Sequence, residues 1–367
     1  MGKKIVLTGG GTAGHVTPHI ALLPSLREAD FDIRYIGSYE GIEKTLMEQE
    51  GIAYDGVATG KFRRYFDWKN FSDPFQVIKG YFEAKKLIKE YDPDVVFSKG
   101  GFVAVPVVWA AAGCHIPVVI HESDMSPGLA NKLCIKKAYK ICANFPEALS
   151  NLPTDKSVVT GTPIREELLH GSREAGLSFC GFAGDKPVLM MMGGSTGAKV
   201  VNSALREALP RLLETFDVIH LCGKGNLDSS LQGVRGYAQF EYISDELKDL
   251  FAAADIMLSR AGANSICEIL ALKKPNVLVP LSASVSRGDQ ILNAESFRKQ
   301  GFSYVLPEEK MNADSLIEAI RHVYDNRVDY VRSMEYSAFN DGIRSVMREI
   351  DAAIRENPKR NKKRFGV

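Results

Sequence analysis

Lys4-Ile-Val-Leu-Thr-Gly-Gly-Gly-Thr-Ala-Gly14 opens the chain, and Lys186-Pro-Val-Leu-Met-Met-Met-Gly-Gly-Ser-Thr-Gly197 opens its second half. Each is a short apolar run, a glycine turn and then a stretch of helical character. A strand that feeds a glycine turn and a helix is the entry to a parallel α/β unit. The glycines let the backbone bend sharply, and the helix start offers N–H groups with no partner inside the helix. Two such entries, half a chain apart, predict two Rossmann-like domains in tandem. Working outward, further apolar runs fall at 33–37, 94–98, 117–120, 140–143 and 158–160 in the first half. In the second half they fall at 188–192, 217–221, 240–243, 255–258 and 276–280. Runs that are apolar throughout and alternate with helices are strands buried on both faces of a parallel sheet. The fold class is therefore α/β, two doubly wound Rossmann-like domains facing a cleft, a natural place for a ligand. The domains are expected at 1–162 and 186–340. A segment at 163–185, rich in Gly, Ser and charge, is expected to link them. The helix at 341–356 is expected to pack back on the first domain, followed by a basic tail at 357–367.

Composition excludes several classes. With 367 residues, about two domains fit. The 46 Lys and Arg nearly balance 45 Asp and Glu, which disfavours a purely electrostatic nucleic-acid binder, so no nucleic-acid partner is expected. A chain 45% hydrophobic and 25% charged has the make-up of a globular protein and is not disordered as a whole. Six cysteines lie scattered without C-x-x-C spacing and read as free thiols in a reducing compartment. The apolar stretch behind Met1 is too short for a signal peptide, and no run approaches the ~18 apolar residues of a membrane span. A cytoplasmic protein is expected.

Chemistry-bearing residues cluster at predicted strand ends. Gly9-Gly-Gly-Thr-Ala-Gly14 satisfies G-x-G-x-x-G, a pattern suited to an anion. A dinucleotide fold also needs an acidic residue ending the second strand, and Tyr35-Ile-Gly-Ser38 ends without one. His15 follows at once, either as a packed or capping residue or beside whatever the loop binds. Ser98-Lys-Gly-Gly101 contributes Gly100 and Gly101, and His121-Glu-Ser-Asp-Met-Ser-Pro-Gly-Leu-Ala-Asn131 contributes Glu122 and Asp124. Loops at the carboxyl ends of strands in one sheet converge on one edge, so these groups come within reach of one ligand and could supply a general base. In the second half, Gly193-Gly-Ser-Thr-Gly-Ala198 is a phosphate-cradle candidate. Ser259-Arg-Ala-Gly-Ala-Asn-Ser-Ile-Cys-Glu268 sets Arg260 and a helix start against a diphosphate, with Glu268 placed to accept from ribose hydroxyls. Asp289-Gln290-x-x-Asn293 carries amides that both donate and accept, as a reader of sugar hydroxyls must. Asp92-Pro-Asp94 has the form of a metal-binding D-x-D, but it precedes a strand and its proline marks a turn. No metal and no cofactor are expected.

Taken together and in order, these stretches and Gly161-Thr-Pro-Ile-Arg165 resemble the MurG family of N-acetylglucosaminyltransferases, which make lipid II in peptidoglycan synthesis and have the two-domain glycosyltransferase-B architecture. They span positions 9 to 294. The resemblance implies that Arg165, Ser195 and the backbone near Ile243 surround UDP. It implies that the turn from Ala263 to Glu268 holds diphosphate and ribose, with Glu268 on the ribose, and that Gln290 and Asn293 read GlcNAc. Thr12, Ala13, Gly14 and His15 would lie at the acceptor diphosphate and the reaction centre. Three departures stand out: His-Glu-Ser-Asp in place of His-Glu-Gln-Asn, Thr196 in place of Gln, and Ser-Arg-Gly-Asp-Gln in the sugar-side loop. They resemble the variant of low-GC Gram-positive bacteria.

The implied reaction is inverting transfer of GlcNAc from UDP-GlcNAc to the C4 hydroxyl of MurNAc in lipid I. It needs a base on the hydroxyl, for which His15 comes first, with Asp124 and Glu122 behind it. It also needs helix N-termini and Arg260 to stabilise the departing UDP. A polyprenyl acceptor implies a peripheral protein on the cytoplasmic face of the cell membrane, with an anionic membrane surface and other cell-wall synthesis proteins as partners. The stretch 61–90 suits that surface, with eight basic and four acidic residues and eight aromatics interleaved. Lys61, Arg63, Arg64, Trp68 and Lys69 are the expected contacts, and Val77, Tyr81, Ala84 and Ile88 share one helix face. The rival readings are another glycosyltransferase-B enzyme acting on a glycolipid, a UDP-sugar epimerase, an NAD-binding oxidoreductase, and a non-catalytic sugar-nucleotide or lipid-binding module.

Overall fold

The computed structural model describes residues 2–60, 69–194, 197–284, 288–337 and 341–357, with 69–74 by backbone alone. Lys61, Arg63, Arg64, Trp68, Ser195, the Lys69 side chain and the tail beyond Asn357 lie outside the described residues. The chain divides into two compact units, Met1–Arg165 with Asp341–Val367, and Glu166–Asn340.

The first unit is a seven-stranded parallel sheet. Its strands are β1 (Lys3–Thr8), β2 (Phe31–Ser38), β3 (Ala53–Val57), β4 (Val95–Ser98), β5 (Val118–Glu122), β6 (Lys140–Ala143) and β7 (Ser157–Val159), in the order β3-β2-β1-β4-β5-β6-β7. Its helices are α1 (Thr17–Glu28), α2 (Ile42–Gln49), α3 (Lys69–Tyr91), α4 (Ala104–Gly113) and α5 (Leu129–Cys134). Successive strand residues point to opposite faces. Ile5, Leu7, Val95 and Phe97 join the core under α1, while Val6, Val96, Val118 and Ile120 join the core under α3 and α4.

The second unit is a six-stranded parallel sheet of β8 (Val188–Met192), β9 (Asp217–Leu221), β10 (Tyr237–Phe240), β11 (Ile256–Ser259), β12 (Asn276–Leu278) and β13 (Tyr304–Val305), in the order β10-β9-β8-β11-β12-β13. Around it lie α6 (Arg173–Cys180), α7 (Lys199–Leu212), α8 (Leu247–Ala253), α9 (Ala263–Ala271), α10 (Asp289–Lys299), α11 (Ala313–Asp325) and α12 (Arg327–Glu335). The final helix, α13 (Gly342–Arg355), lies in the first unit, where Val346, Ile350, Ala353 and Ile354 share a core with Ile5 and Leu7. The Asp341 side chain caps it by accepting from the Arg344 N–H at 2.8 Å. Asp94, expected in a turn, accepts from the Lys4 N–H at 2.9 Å.

Two sequence expectations are corrected here. The segment 163–185 is not a free linker. Glu166–His170 forms a 3-10 turn, and α6 packs against α8. Arg173 pairs with Asp255 at 3.0 Å, and Cβ atoms on Gly171 and Gly176 would strike the α8 backbone. Its polar surface hid a segment bound by backbone approach and one ion pair. The strand expected at 240–243 runs instead from Tyr237 to Phe240, so Ile243 sits in the loop after it. The helix face shared by Val77, Tyr81, Ala84 and Ile88 turns inward: Ala84 and Ile88 are buried, and Val77 and Tyr81 pack against the same core.

Candidate active site

Strand order decides where a ligand can enter. In the first unit the order of strands reverses between β1 and β4; in the second, between β8 and β11. At such a switch point the two following loops diverge and leave a crevice at the carboxyl edge of the sheet. Among the described residues, those singled out in the glycine loops and helix starts follow the carboxyl ends of strands in these sheets.

In the first unit the loops after β1 and β4 touch. A Cβ on Gly101 would overlap the Gly10 carbonyl oxygen, and Gly101 sits at φ +81, so only glycine fits there. The Tyr35 hydroxyl donates to the Gly9 carbonyl at 2.8 Å. Thr12 leads into a 3-10 turn over Ala13, Gly14 and His15. The Thr12 Oγ1 lies 3.0 Å from His15 Nδ1. Burial, then the charge of Lys99, lowers the His15 pKa to about 4, against the Gly10 carbonyl and Glu43, which raise it. The imidazole is neutral at physiological pH, the form a base requires.

Lys99 was not foreseen as a site residue. It is buried at the end of β4, and its Nζ lies 2.7 Å from His121 Nδ1, 2.6 Å from Ser123 Oγ and 3.3 Å from Thr162 Oγ1. An ammonium has no lone pair, so Nδ1 accepts and Nε2–H donates to the Gly161 carbonyl at 2.8 Å. Burial and Lys99 hold His121 well below its usual pKa. This ammonium thus ties β4, the loop after β5 and the turn after β7 together. The one-dimensional signal was a lysine between a strand and two glycines.

Glu122 is corrected from candidate base to loop staple. It is buried, and its oxygens accept from the Asp124 N–H at 3.0 Å, the Gly128 N–H at 3.2 Å and the Asn131 side chain at 2.8 Å. Burial raises its pKa against those bonds. Its carboxylate shapes the loop that carries half-buried Asp124.

The second unit offers helix starts. Gly262 precedes α9, no side chain caps that helix, and a Cβ on Gly262 would meet nothing within 4 Å among the described residues. Ala263 is its first residue, and Glu268 lies half-buried on its second turn. Arg260 is corrected from a free phosphate ligand. Its guanidinium pairs with Glu308, the two side chains being 12% and 14% exposed, and donates to the Val279 carbonyl at 3.2 Å. Asn293 is corrected from a direct sugar reader. It is fully buried and donates to the Ala261 carbonyl at 3.2 Å, bracing α10 against the turn that feeds α9. Gln290 Oε1 accepts from the Leu281 N–H at 3.1 Å. Arg165 closes the first unit rather than opening the second.

Comparison with known proteins matches residues 5–143 to the glycosyltransferase family 28 N-terminal domain and residues 188–352 to the family's C-terminal domain. A protein of Lachnoclostridium phytofermentans named UDP-N-acetylglucosamine–N-acetylmuramyl-(pentapeptide) pyrophosphoryl-undecaprenol N-acetylglucosamine transferase is 62% identical over 345 residues, 94% of this chain and 97% of the relative. One of the same name from Clostridium botulinum is 54% identical over 94% of this chain and 97% of its own length. The crystal structure of Acinetobacter baumannii MurG superposes with a TM-score of 0.71 at 24% identity, covering 91% of this chain and 95% of that one.

Proposed function

As the chain belongs to glycosyltransferase family 28, we propose that it transfers N-acetylglucosamine from UDP-GlcNAc to N-acetylmuramyl-(pentapeptide) pyrophosphoryl-undecaprenol, converting lipid I to lipid II. The near-full-length match to transferases of that one name carries this reading, and the two switch-point crevices support it. The transfer inverts the anomeric carbon in one in-line displacement. His15, neutral and set on the glycine loop, takes the C4 hydroxyl proton of MurNAc as that oxygen attacks, with Asp124 next to it in rank. The uncapped start of α9 stabilises the charge that grows on the departing UDP. Glu268 accepts from the ribose hydroxyls, and Gln290 stands at the sugar.

The oxidoreductase reading loses its basis at the glycine loop. A dinucleotide needs those loop amides for its pyrophosphate, whereas here the Gly11 N–H is given to the buried Glu43 carboxylate at 3.2 Å.

A lipid acceptor calls for a protein that rests on a membrane. Among the described residues, no helix is long and apolar enough to cross one. The outward side of α3 presents Phe75, Ile78 and Phe82, 74%, 55% and 63% exposed, at the i, i+3, i+7 spacing of one helical stripe. Exposed Lys79 and Lys86 lie on the same helix, and Trp109, Leu129 and Leu133 are exposed on α4 and α5. Apolar residues fringed by lysine suit an anionic bilayer surface.

The deciding experiment measures UDP release from UDP-GlcNAc with and without a water-soluble lipid I analogue. Release that depends on the analogue, with a β-linked disaccharide as product, supports the reading. Release at the same rate without the analogue, or none at all, overturns it.

A further inference from the structure

Two glycines leave out the same volume. A Cβ on Gly10 or Gly41 would run into one side chain, that of Glu43, at the start of α2, and one on Gly37 would strike the Tyr54 hydroxyl beside it. Glu43 is fully buried, and its bonds all face one way. Oε2 accepts from the Gly11 N–H at 3.2 Å. Oε1 accepts from the Ser38 N–H at 3.2 Å and from the Ser38 hydroxyl at 2.5 Å. The Tyr54 hydroxyl donates to the Ser38 carbonyl at 2.5 Å, and the Tyr35 hydroxyl donates to the Gly9 carbonyl, so both ends of the bracket are fixed. Packing does not explain the carboxylate, because α2 is already anchored in the core by Met47. A buried carboxylate is tolerated only where donors meet its oxygens, and here the donors are a glycine-loop amide and the end of β2.

We propose that Glu43 is a positioning residue of the acceptor loop. It fixes Gly10 and Gly11 from behind, withdraws the Gly11 amide from phosphate, and so directs the acceptor's diphosphate onto the segment from Thr12 to His15. This rests on the reading of the chain as a lipid I glycosyltransferase. The charge reinforces the geometry: a carboxylate beneath Gly11 repels a second anion there, and the repulsion weakens with distance along the loop.

Two variants test this from opposite sides. Glu43→Gln keeps the shape but has one accepting oxygen for donors that now meet two. Gly41→Ala leaves Glu43 itself intact, and alanine adopts the backbone of Gly41, at φ −121 and ψ 162, but its Cβ evicts the carboxylate. Two readouts are taken, backbone amide exchange of a peptide covering 9–15 and steady-state kinetics with a soluble lipid I analogue. We expect both variants to speed exchange at 9–15 at least fivefold and leave 188–192 unchanged. The acceptor KM should rise about tenfold, with the UDP-GlcNAc KM within twofold of wild type. Ser38→Ala, which removes one bond, should give a smaller change in the same direction and decides the matter if the other two do not fold. Folded variants whose acceptor KM stays within twofold of wild type overturn the proposal, whether or not exchange changes. If the wild-type protein transfers nothing to the analogue, the functional reading fails on its own. Exchange then judges Glu43, and unchanged exchange at 9–15 overturns the proposal.

Discussion

The glycine loops of the two units look alike as sequence and differ as structures. The loop after β1 is crowded from behind. Glu43 fills the space under Gly10, the Gly10 carbonyl lies against Gly101, and Lys99, His19 and His121 are buried close by. In the second unit, a Cβ on Gly194 or Gly262 would meet nothing within 4 Å among the described residues, as on Gly11 in the first, while one on Gly197 would strike the Cys222 carbonyl. The first loop is braced by a buried carboxylate, whereas the start of α9 has no side-chain cap. The contrast suits a division of labour. A braced loop holds a base and an acceptor in one geometry, while open amides at a helix start wait for an anionic donor.

The largest expected effect contrasts a glycine from each loop. Gly101→Ala should cost about 3 kcal/mol or more, because strained φ is joined by backbone overlap. Gly194→Ala, at φ +78 but in open space, should cost only about 1–2 kcal/mol. Denaturant unfolding of both variants checks this, and equal costs would erase the contrast between the loops. Next comes the ion pair that braces the second unit. Glu308→Ala should destabilise by about 3 kcal/mol, since it strands the largely buried Arg260, whereas Glu295→Ala, which breaks an exposed pair with Arg298, should leave the unfolding midpoint nearly unchanged.

Acid should separate the units in a third way. Burial lowers His19 to about 3 and His15 to about 4, and takes His121 well below its usual value; in the second unit burial lowers His220 to about 3. A histidine neutral in the fold but ordinary in the unfolded chain takes up its proton on unfolding. Stability therefore falls as pH drops from about 6.5 toward the folded-state value, by at most ~1.4 kcal/mol per pH unit for each fully buried ring. Half-buried His15 contributes less, and Glu122, raised by burial, offsets part of the loss at the acid end. Amide exchange at pH 7 and pH 5, corrected for intrinsic rates, should show β1 and β5 losing more protection than β8 and β11. The smallest effect concerns the membrane. Phe82→Ser should weaken binding to anionic vesicles about tenfold, as loss of one partly inserted aromatic side chain implies. Tyr242→Ser in the second unit, also exposed, should leave binding unchanged.

The sequence reveals most of what hydrophobic runs control. Central strands such as β4, β5 and β11 open on apolar runs and lie within a residue or two of the expected positions. The edge strands β3 and β13 went unseen, because Ala53-Tyr-Asp-Gly-Val57 is only half-buried and mixes polar residues, while β13 has two residues. The shared face of Val77, Tyr81, Ala84 and Ile88 is legible from its spacing, but spacing alone does not say whether such a face meets a core or a membrane. At the site, loops and helix starts followed from strand ends. The partners of those loops did not. Glu43 reaches the Gly9–Gly14 loop from the next helix, and Arg260 finds Glu308 from a distant turn, through contacts that no local spacing encodes. Buried Asn293 and Glu122 were mistaken for ligand groups because residue type alone does not distinguish an amide or carboxylate that faces a ligand from one that braces a loop.

The division of labour is tested most directly by His15→Ala, comparing its affinity for UDP-GlcNAc with its turnover on a soluble lipid I analogue. Loss of a general base from the acceptor side should lower kcat by about 10²–10⁴-fold and leave the UDP-GlcNAc Kd within twofold of wild type. Turnover equal to wild type, or a fall in donor affinity that accounts for the whole loss, would contradict it.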